Sequence, residues 1–235
     1  MMERLERFAD WLTAIPNLLI KLLLFATALS LVSALIGLAI FGWGDQHQLF
    51  RDVGPIQLWS LLQTLSVALL GFLIARRSAH YGDWRDLNNF WLLAGGGFLW
   101  LTVDAPLDLH GKIGGLLADI TGSDGVLGFH RWSDFILFAY MVGGLILAAI
   151  YWRDWLPFPD LRVLFLTGAV LVGLTIIIDG FVDQTSTVWV IEETLKLYGG
   201  AFFVATFALR YRMGDVPETA AERSEAPASS PSAAS

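Results

Sequence analysis

Ionisable residues recur at the ends of four hydrophobic segments in the second half of the sequence. They comprise seven carboxylates, two histidines and one lysine: Asp104, Asp108, His110, His130, Asp134, Asp179, Asp183, Glu192, Glu193 and Lys196. Three pairs (104/108, 130/134 and 179/183) are four residues apart, so each pair lies on one face if its segment is helical. Carboxylates with histidine are typical ligands of zinc, manganese or iron, whereas carboxylates alone favour calcium or magnesium.

From this pattern we predict a divalent metal ion, with zinc, manganese or iron favoured over calcium or magnesium. The predicted ligands are Asp104, Asp108, His110, His130, Asp134, Asp179, Asp183 and Glu193. Among them His110 is the least suited, because its helical phase differs from that of Asp104. Glu192 and Lys196 are candidate catalytic residues, since a carboxylate that binds no metal can act as a general base. The alternative is that these residues have no chemical role. Some would then be solvated residues at loop edges, and Lys196 would form a structural ion pair with a glutamate.

The residues around this cluster are those of an integral membrane protein. The chain has 235 residues, of which 55% are hydrophobic and 16% charged. A helix needs about 20 apolar residues to cross a bilayer. Six such runs predict transmembrane helices near 17–42, 57–75, 89–107, 133–152, 161–179 and 187–209. The predicted fold is therefore all-α, with the last four helices forming an antiparallel bundle around the polar site.

The distribution of arginine and lysine predicts the orientation, because cytoplasmic loops are enriched in these residues. It places both termini in the cytoplasm of a plasma (inner) membrane protein, with the cluster on the periplasmic or extracellular side. Residues 1–15 are predicted to form an interfacial amphipathic helix, a frayed terminus being the alternative. Residues 16–213 form the transmembrane domain, and 214–235 a disordered cytoplasmic tail.

Charge and composition narrow the classes of function. The formal net charge is −7, which is unfavourable for nucleic-acid binding. Six of the seven excess negative charges belong to the cluster, so a cationic occupant is expected there. There is no cysteine, which excludes thiolate metal sites and cysteine nucleophiles.

Two further features are predicted to be structural. The loop at roughly 109–132 is glycine-rich and predicts either a cover over the cluster or an idle connector. Glycines at 95–97, 143–144 and 199–200 predict close helix packing.

The favoured interpretation is a metal-dependent membrane hydrolase that acts on a lipid or amphiphilic substrate at the outer leaflet. One alternative is a proton- or cation-coupled transporter or channel, because acidic residues with a buried lysine are ordinary parts of proton relays. The other is a non-catalytic membrane subunit. The expected partners are the lipid bilayer and a lipid-like substrate, with an oligomer or a partner subunit left open.

Overall fold

A computed structural model describes residues 18–41, 54–77, 87–152, 158–182 and 185–213. These residues form seven helices and no strand: α1 (Leu18–Phe41), α2 (Pro55–Arg77), α3 (Leu87–Leu107), α4 (Leu109–Thr121), α5 (Trp132–Ile150), α6 (Pro159–Phe181) and α7 (Ser186–Met213). The predicted interfacial helix at 1–15 and the predicted tail at 214–235 lie outside the described residues.

Five of the helices, α1, α2, α3, α5 and α6, are long and apolar enough to cross a membrane. Their outward surfaces are apolar as well: Leu24, Leu35 and Ile40 of α1 are each 65% exposed. Such surfaces are unfavourable in water and suit a lipid environment. The chain is therefore a polytopic helical membrane protein. The sixth predicted span coincides with α7, whose 28 residues are interrupted by charge at 192, 193 and 196, so the count of six stays a prediction.

Close contacts give the relative directions of the helices. Gln63 of α2 bonds to Leu197 of α7, and Arg77 of α2 to Tyr211, so these two helices run the same way. α3 runs opposite to α2, and α6 opposite to α7. All arginines of α2 and α7 therefore lie at one end, here called the arginine end. The other end, the carboxylate end, carries Asp104, Asp134 and Asp179.

Glycines allow the closest of these approaches. A Cβ atom on Gly71 of α2 would lie 2.9 Å from the Cα of Gly95 of α3, and one on Gly199 of α7 would lie 2.6 Å from Val172 of α6. Gly95 and Gly199 thus have the packing role predicted for them. The prediction is wrong for Gly97 and for positions 96, 143 and 144, where a Cβ would meet nothing within 4 Å.

The way the helices pack differs from the predicted bundle, which was formed by the last four membrane helices alone. Helix α2, which that prediction left out, packs on both α3 and α7, whereas α3 and α5 approach each other only sparingly. The predicted four-helix arrangement stays a prediction. The packing of α2 against α3 and α7 matters for the site, because α2 supplies part of the wall around the polar cluster.

Aromatic rings fill the interior near the arginine end. The ring of Phe203 lies 5.4 Å from that of Phe165 and 5.1 Å from that of Phe98, and the ring of Trp91 lies 5.0 Å from that of Phe207. Edge-to-face pairs at such distances add to the stabilisation from apolar burial. Aromatic side chains are therefore the main packing groups in this half of the interior.

The segment predicted as a loop at 109–132 begins with a helix. Helix α4 starts directly after α3, separated from it by Asp108 alone. It ends at Thr121 and is followed by Gly122 in the left-handed conformation. It packs on the start of α5, where a Cβ on Gly114 would lie 2.6 Å from the backbone nitrogen of Ser133. Residues 109–121 are thus a structured part of the carboxylate end.

Candidate functional site

A cavity of about 1080 Å³ lies between helices α2, α3, α5, α6 and α7. At the carboxylate end its walls carry ionisable side chains, and toward the arginine end they carry Phe90, Phe165 and Phe203. Ligand pockets commonly have about 300–1,000 Å³, with mostly apolar walls and a few polar groups that fix orientation. The cavity has the size and the polarity of such a pocket.

One polar group in the cavity wall is a carboxylate–histidine pair. The Asp104 side chain is buried, and its Oδ1 accepts a hydrogen bond of 2.8 Å from the backbone N–H of His110. Its Oδ2 lies 3.0 Å from Nδ1 of the His110 ring. A buried carboxylate on Nδ1 fixes the tautomer with its proton there, which leaves Nε2 as the basic nitrogen.

The pair depends on an abrupt change of direction at Asp108. Asp108 adopts the left-handed conformation, with φ 49° and ψ 48°, between the end of α3 and the start of α4. Few residues other than glycine adopt this conformation, although aspartate tolerates it better than most. The turn brings His110 back toward Asp104, which a continuous helix would not do. Asp108 itself is exposed, with its Oδ1 3.7 Å from Nε2 of His110.

A second group links α5 to α6 through Arg131. Its Nε lies 3.4 Å from Oδ2 of Asp134, and its Nη2 lies 3.2 Å from Oδ1 of Asp179. Asp134 is buried and also accepts a hydrogen bond from Ser133. The backbone of His130 donates to the carbonyl of Gly180, which ties the segment before α5 to the end of α6.

A third group lies on α7. Lys196 donates a hydrogen bond to Oε1 of Glu193, one turn earlier on the same helix. Glu192 also lines the cavity. From α2, Gln63 reaches the same region and donates through Nε2 to the carbonyl of Leu197 at 3.1 Å. The three groups together ring the polar part of the cavity.

The structure brings most of the predicted residues to one cavity but does not assemble them as metal ligands. Seven of them line it: Asp104, Asp108, His110, Asp179, Glu192, Glu193 and Lys196. Asp134 lies behind Arg131, His130 is exposed and away from the cavity, and Asp183 lies outside the described residues.

Among the described residues, no three His, Asp or Glu side chains come close enough to hold one metal ion. Asp104 is bonded to His110, Asp134 and Asp179 contact Arg131, and Glu193 bonds to Lys196. The predicted divalent ion, with its preference for zinc, manganese or iron, therefore has no ligand set in this part of the chain and stays a prediction.

The prediction that ionisable residues four apart share one helix face is wrong for two of the three pairs, 104/108 and 130/134. Asp108 lies beyond the end of α3, so it does not extend the face of Asp104. His130 precedes the first residue of α5, and Arg131 contacts Asp134 in its place.

Two polar residues of the site were missed in the sequence. Arg131 was not among the predicted site residues, although its spacing of three from Asp134 is a common ion-pair spacing. Gln63 was passed over, although a glutamine within an apolar membrane helix is itself a signal of polar contacts inside the bundle. Both lie in the cavity wall.

The cavity has a charge as well as a shape. Among the described residues, its wall contains five carboxylates (Asp104, Asp108, Asp179, Glu192 and Glu193) and two basic side chains, Arg131 and Lys196. The polar part therefore favours a cationic group over an anionic one. The His110–Asp104 pair adds a nitrogen that is able to accept a proton.

Comparison with known proteins adds a family and no activity. No curated protein and no solved structure matches the sequence significantly. A family model described as "Domain of unknown function (DUF8692)" matches residues 22–210, which covers α2 to α6 completely and most of α1 and α7. The chain therefore belongs to the DUF8692 family.

Proposed function

We propose that this membrane protein binds an amphiphilic, lipid-like molecule in the cavity between its helices. The observation that carries the proposal is the gradient along the cavity wall, from ionisable side chains at one end to aromatic rings at the other. A polar head among the ionisable groups and an apolar part beside Phe165 and Phe203 would match both environments. Neither a small ion nor a fully apolar molecule would use the whole wall.

Open space beside two glycines, one on α3 and one on α5, supports this proposal. α3 and α5 approach each other at the rings of Trp100 and Tyr140, whose centroids are 6.4 Å apart. Gly97 on α3 and Gly144 on α5 line the cavity and are exposed, and a Cβ on either would meet nothing within 4 Å. We expect an apolar chain to enter the cavity sideways from the membrane between these two helices.

The proposal includes an orientation of the protein in the membrane. The arginines at 76, 77, 210 and 212 share one end, which the positive-inside rule assigns to the cytoplasm. The cavity would then take its ligand at the outer leaflet of a plasma or inner membrane.

Two glycines on α3 offer a matched test. Gly97 lines the cavity, whereas its neighbour Gly96 does not, and both positions have open space around them. Gly97→Leu should fill the access route and weaken binding of a single-chain amphiphile by about tenfold, a change of about 1.4 kcal/mol. Gly96→Leu should bind like the wild type. Native mass spectrometry in non-ionic micelles measures both, and equal binding by the two variants would contradict the proposal.

A second candidate function is acid–base catalysis on the bound amphiphile, which the Asp104–His110 pair favours. The orienting carboxylate on Nδ1 is the arrangement that general-base histidines use, and Nε2 could accept a proton from water that attacks an ester or amide. This preserves the hydrolase hypothesis without a metal. His110→Gln should abolish turnover of a cleavable amphiphile while leaving its binding unchanged. Unchanged turnover in that variant would exclude this role.

The transport alternative gains less support. Among the described residues that line the cavity, the ionisable ones all belong to the carboxylate-end half, and the other half is aromatic and apolar. A proton or cation path across the membrane would need polar groups on both sides of the centre.

A further inference from the structure

Helix α4 has an exposed apolar face, although its 13 residues are too few to cross a bilayer. Ile113, Leu116 and Ile120 are all exposed, and Ile120 is 72% exposed. At 3.6 residues per turn these three positions fall within roughly 60° of one another around the helix axis, so they form one stripe. Large apolar side chains grouped on one exposed face are unfavourable in water, which indicates that the face has a partner.

The other two faces of α4 have different surroundings. On one face Gly114 is buried against the backbone of Ser133 at the start of α5. On the other face Lys112, Gly115 and Asp119 are exposed. The helix therefore has one face packed on protein, one polar face and one apolar face. An apolar stripe beside a polar face is typical of helices that lie along a membrane surface.

Another exposed apolar side chain, that of Leu127, lies on a tight turn between α4 and α5. Leu127 and Gly128 have positive φ angles of 51° and 89°, and the backbone N–H of Phe129 donates a hydrogen bond of 2.9 Å to the carbonyl of Val126. A positive φ is unfavourable for leucine. Leu127 is nevertheless 81% exposed, so burial in the described part of the chain does not compensate for it. Such a strained residue points to a role in contacts outside the protein.

Both features lie where the apolar surfaces of membrane helices end. Helix α3 ends with Val103 and Leu107, which are exposed and one turn apart, and α4 follows after one residue. The turn is fixed on the end of α6, where the buried ring of Phe129 lies 4.6 Å from the ring of the exposed Phe181. Since α3 and α6 both end at the carboxylate end, the apolar face of α4 and Leu127 continue the lipid-facing surface there.

We propose that α4 and this turn form a surface anchor that inserts Ile113, Leu116, Ile120 and Leu127 into the lipid leaflet at the carboxylate end. A leaflet covers both elements at once, whereas a protein partner would need a surface that matches both. The anchor does not depend on the ligand proposed for the cavity, because none of these four residues is among the described residues that line it. Since His110 is the second residue of α4, the anchor holds one wall of the cavity at the membrane surface.

Single-cysteine variants test the proposal directly, because the chain has no cysteine of its own. A nitroxide spin label is attached to Leu116→Cys, Ile120→Cys or Leu127→Cys in the full-length protein, which is then placed in phosphatidylcholine vesicles. Power saturation of the electron paramagnetic resonance signal is measured with oxygen, which concentrates in hydrocarbon, and with nickel ethylenediaminediacetate, which stays in water. All three side chains are exposed, so the label should not disturb the fold, and a Tm close to that of the wild type checks this.

Control positions exist on the same helix and in a membrane span. Gly115→Cys and Asp119→Cys place the label on the polar face of α4, and a Cβ at 115 has open space around it. Leu31→Cys, near the middle of α1, is the reference for full exposure to lipid.

We expect oxygen to relax the labels at 116, 120 and 127 more strongly than the nickel complex does, at a depth of roughly 5–10 Å in the leaflet. The labels at 115 and 119 should show the opposite order. If the labels on α4 or the label at 127 reach the nickel complex as readily as the controls, that element lies in water and its part in the anchor is overturned. If neither reagent reaches them, another segment of the chain or a second copy covers the face, and the assignment to lipid is overturned.

Discussion

Replacing Arg131 by glutamine removes a cation that contacts both Asp134 and Asp179. Asp134 is 2% exposed, so its carboxylate would stay desolvated without that partner. Removing one partner of a buried ion pair is costly, because it leaves the other charge uncompensated. The variant should therefore destabilise the junction between α5 and α6.

The magnitude follows from the distances and the exposure. Two unit charges about 4 Å apart attract by about 1 kcal/mol in water and by about 4 kcal/mol at the effective dielectric near a protein surface. The Arg131 side chain is 59% exposed, so solvent screens it and the value lies between these limits. We expect Arg131→Gln to lower the free energy of unfolding by about 2 kcal/mol. For a chain of this size that is a decrease in Tm of roughly 4–8 °C.

Thermal unfolding followed by tryptophan fluorescence in one detergent measures this effect. The matched control is Arg76→Gln, which changes an exposed arginine at the opposite end and should shift Tm by less than about 1 °C. Adding Asp134→Asn to Arg131→Gln should recover about half of the loss, because a neutral amide needs no counter-charge. A wild-type Tm in Arg131→Gln, or no recovery in the double variant, would refute the reasoning.

Three further outcomes are expected. Asp104→Asn should keep both contacts to His110, because the imidazole proton can move to Nε2, and it should lower the free energy of unfolding by about 1 kcal/mol. ¹⁵N NMR of labelled histidine detects the change of tautomer. A spectrum identical to that of the wild type would contradict the pairing of Asp104 with His110. Gly71→Ala should lower the free energy of unfolding by more than about 2 kcal/mol, because its Cβ would lie 2.9 Å from the Cα of Gly95. Gly96→Ala has open space around the new Cβ and should leave the free energy of unfolding unchanged in the same assay. If the predicted divalent ion is bound, addition of EDTA should lower Tm and element analysis should find stoichiometric metal. An unchanged Tm together with no bound metal would contradict the metal prediction.

The membrane helices could be predicted from the sequence because hydrophobic length is a property of contiguous residues. The runs near 57–75 and 161–179 correspond to α2 and α6, each a few residues longer than predicted. Helix α7 shows the limit of this reasoning, because its charged turn lowers its hydropathy although the helix packs among the others. Helix α4 was missed, since its glycines suggested a loop.

The site could be predicted as a region and not as a set of contacts. Clustering of acids at one end follows from the order of the segments. The partners do not follow, because they depend on single backbone angles and on pairs that are distant in sequence. His110 was judged out of phase with Asp104, and a continuous helix would have made that correct. Gln63 and Leu197 are 134 residues apart, and nothing in a single sequence connects them.

The left-handed residue at Asp108 has a consequence for the length of the chain around it. One residue separates α3 from α4, so the backbone angles of that residue fix the direction of α4 relative to α3. An inserted or deleted residue between Asp104 and His110 would rotate His110 by about 100° about the helix axis. The contacts of its backbone N–H and of its imidazole with the Asp104 carboxylate would both be lost. The segment therefore tolerates changes of side chain more readily than changes of length, and a stable fold with an altered count of residues there would still have lost the pair.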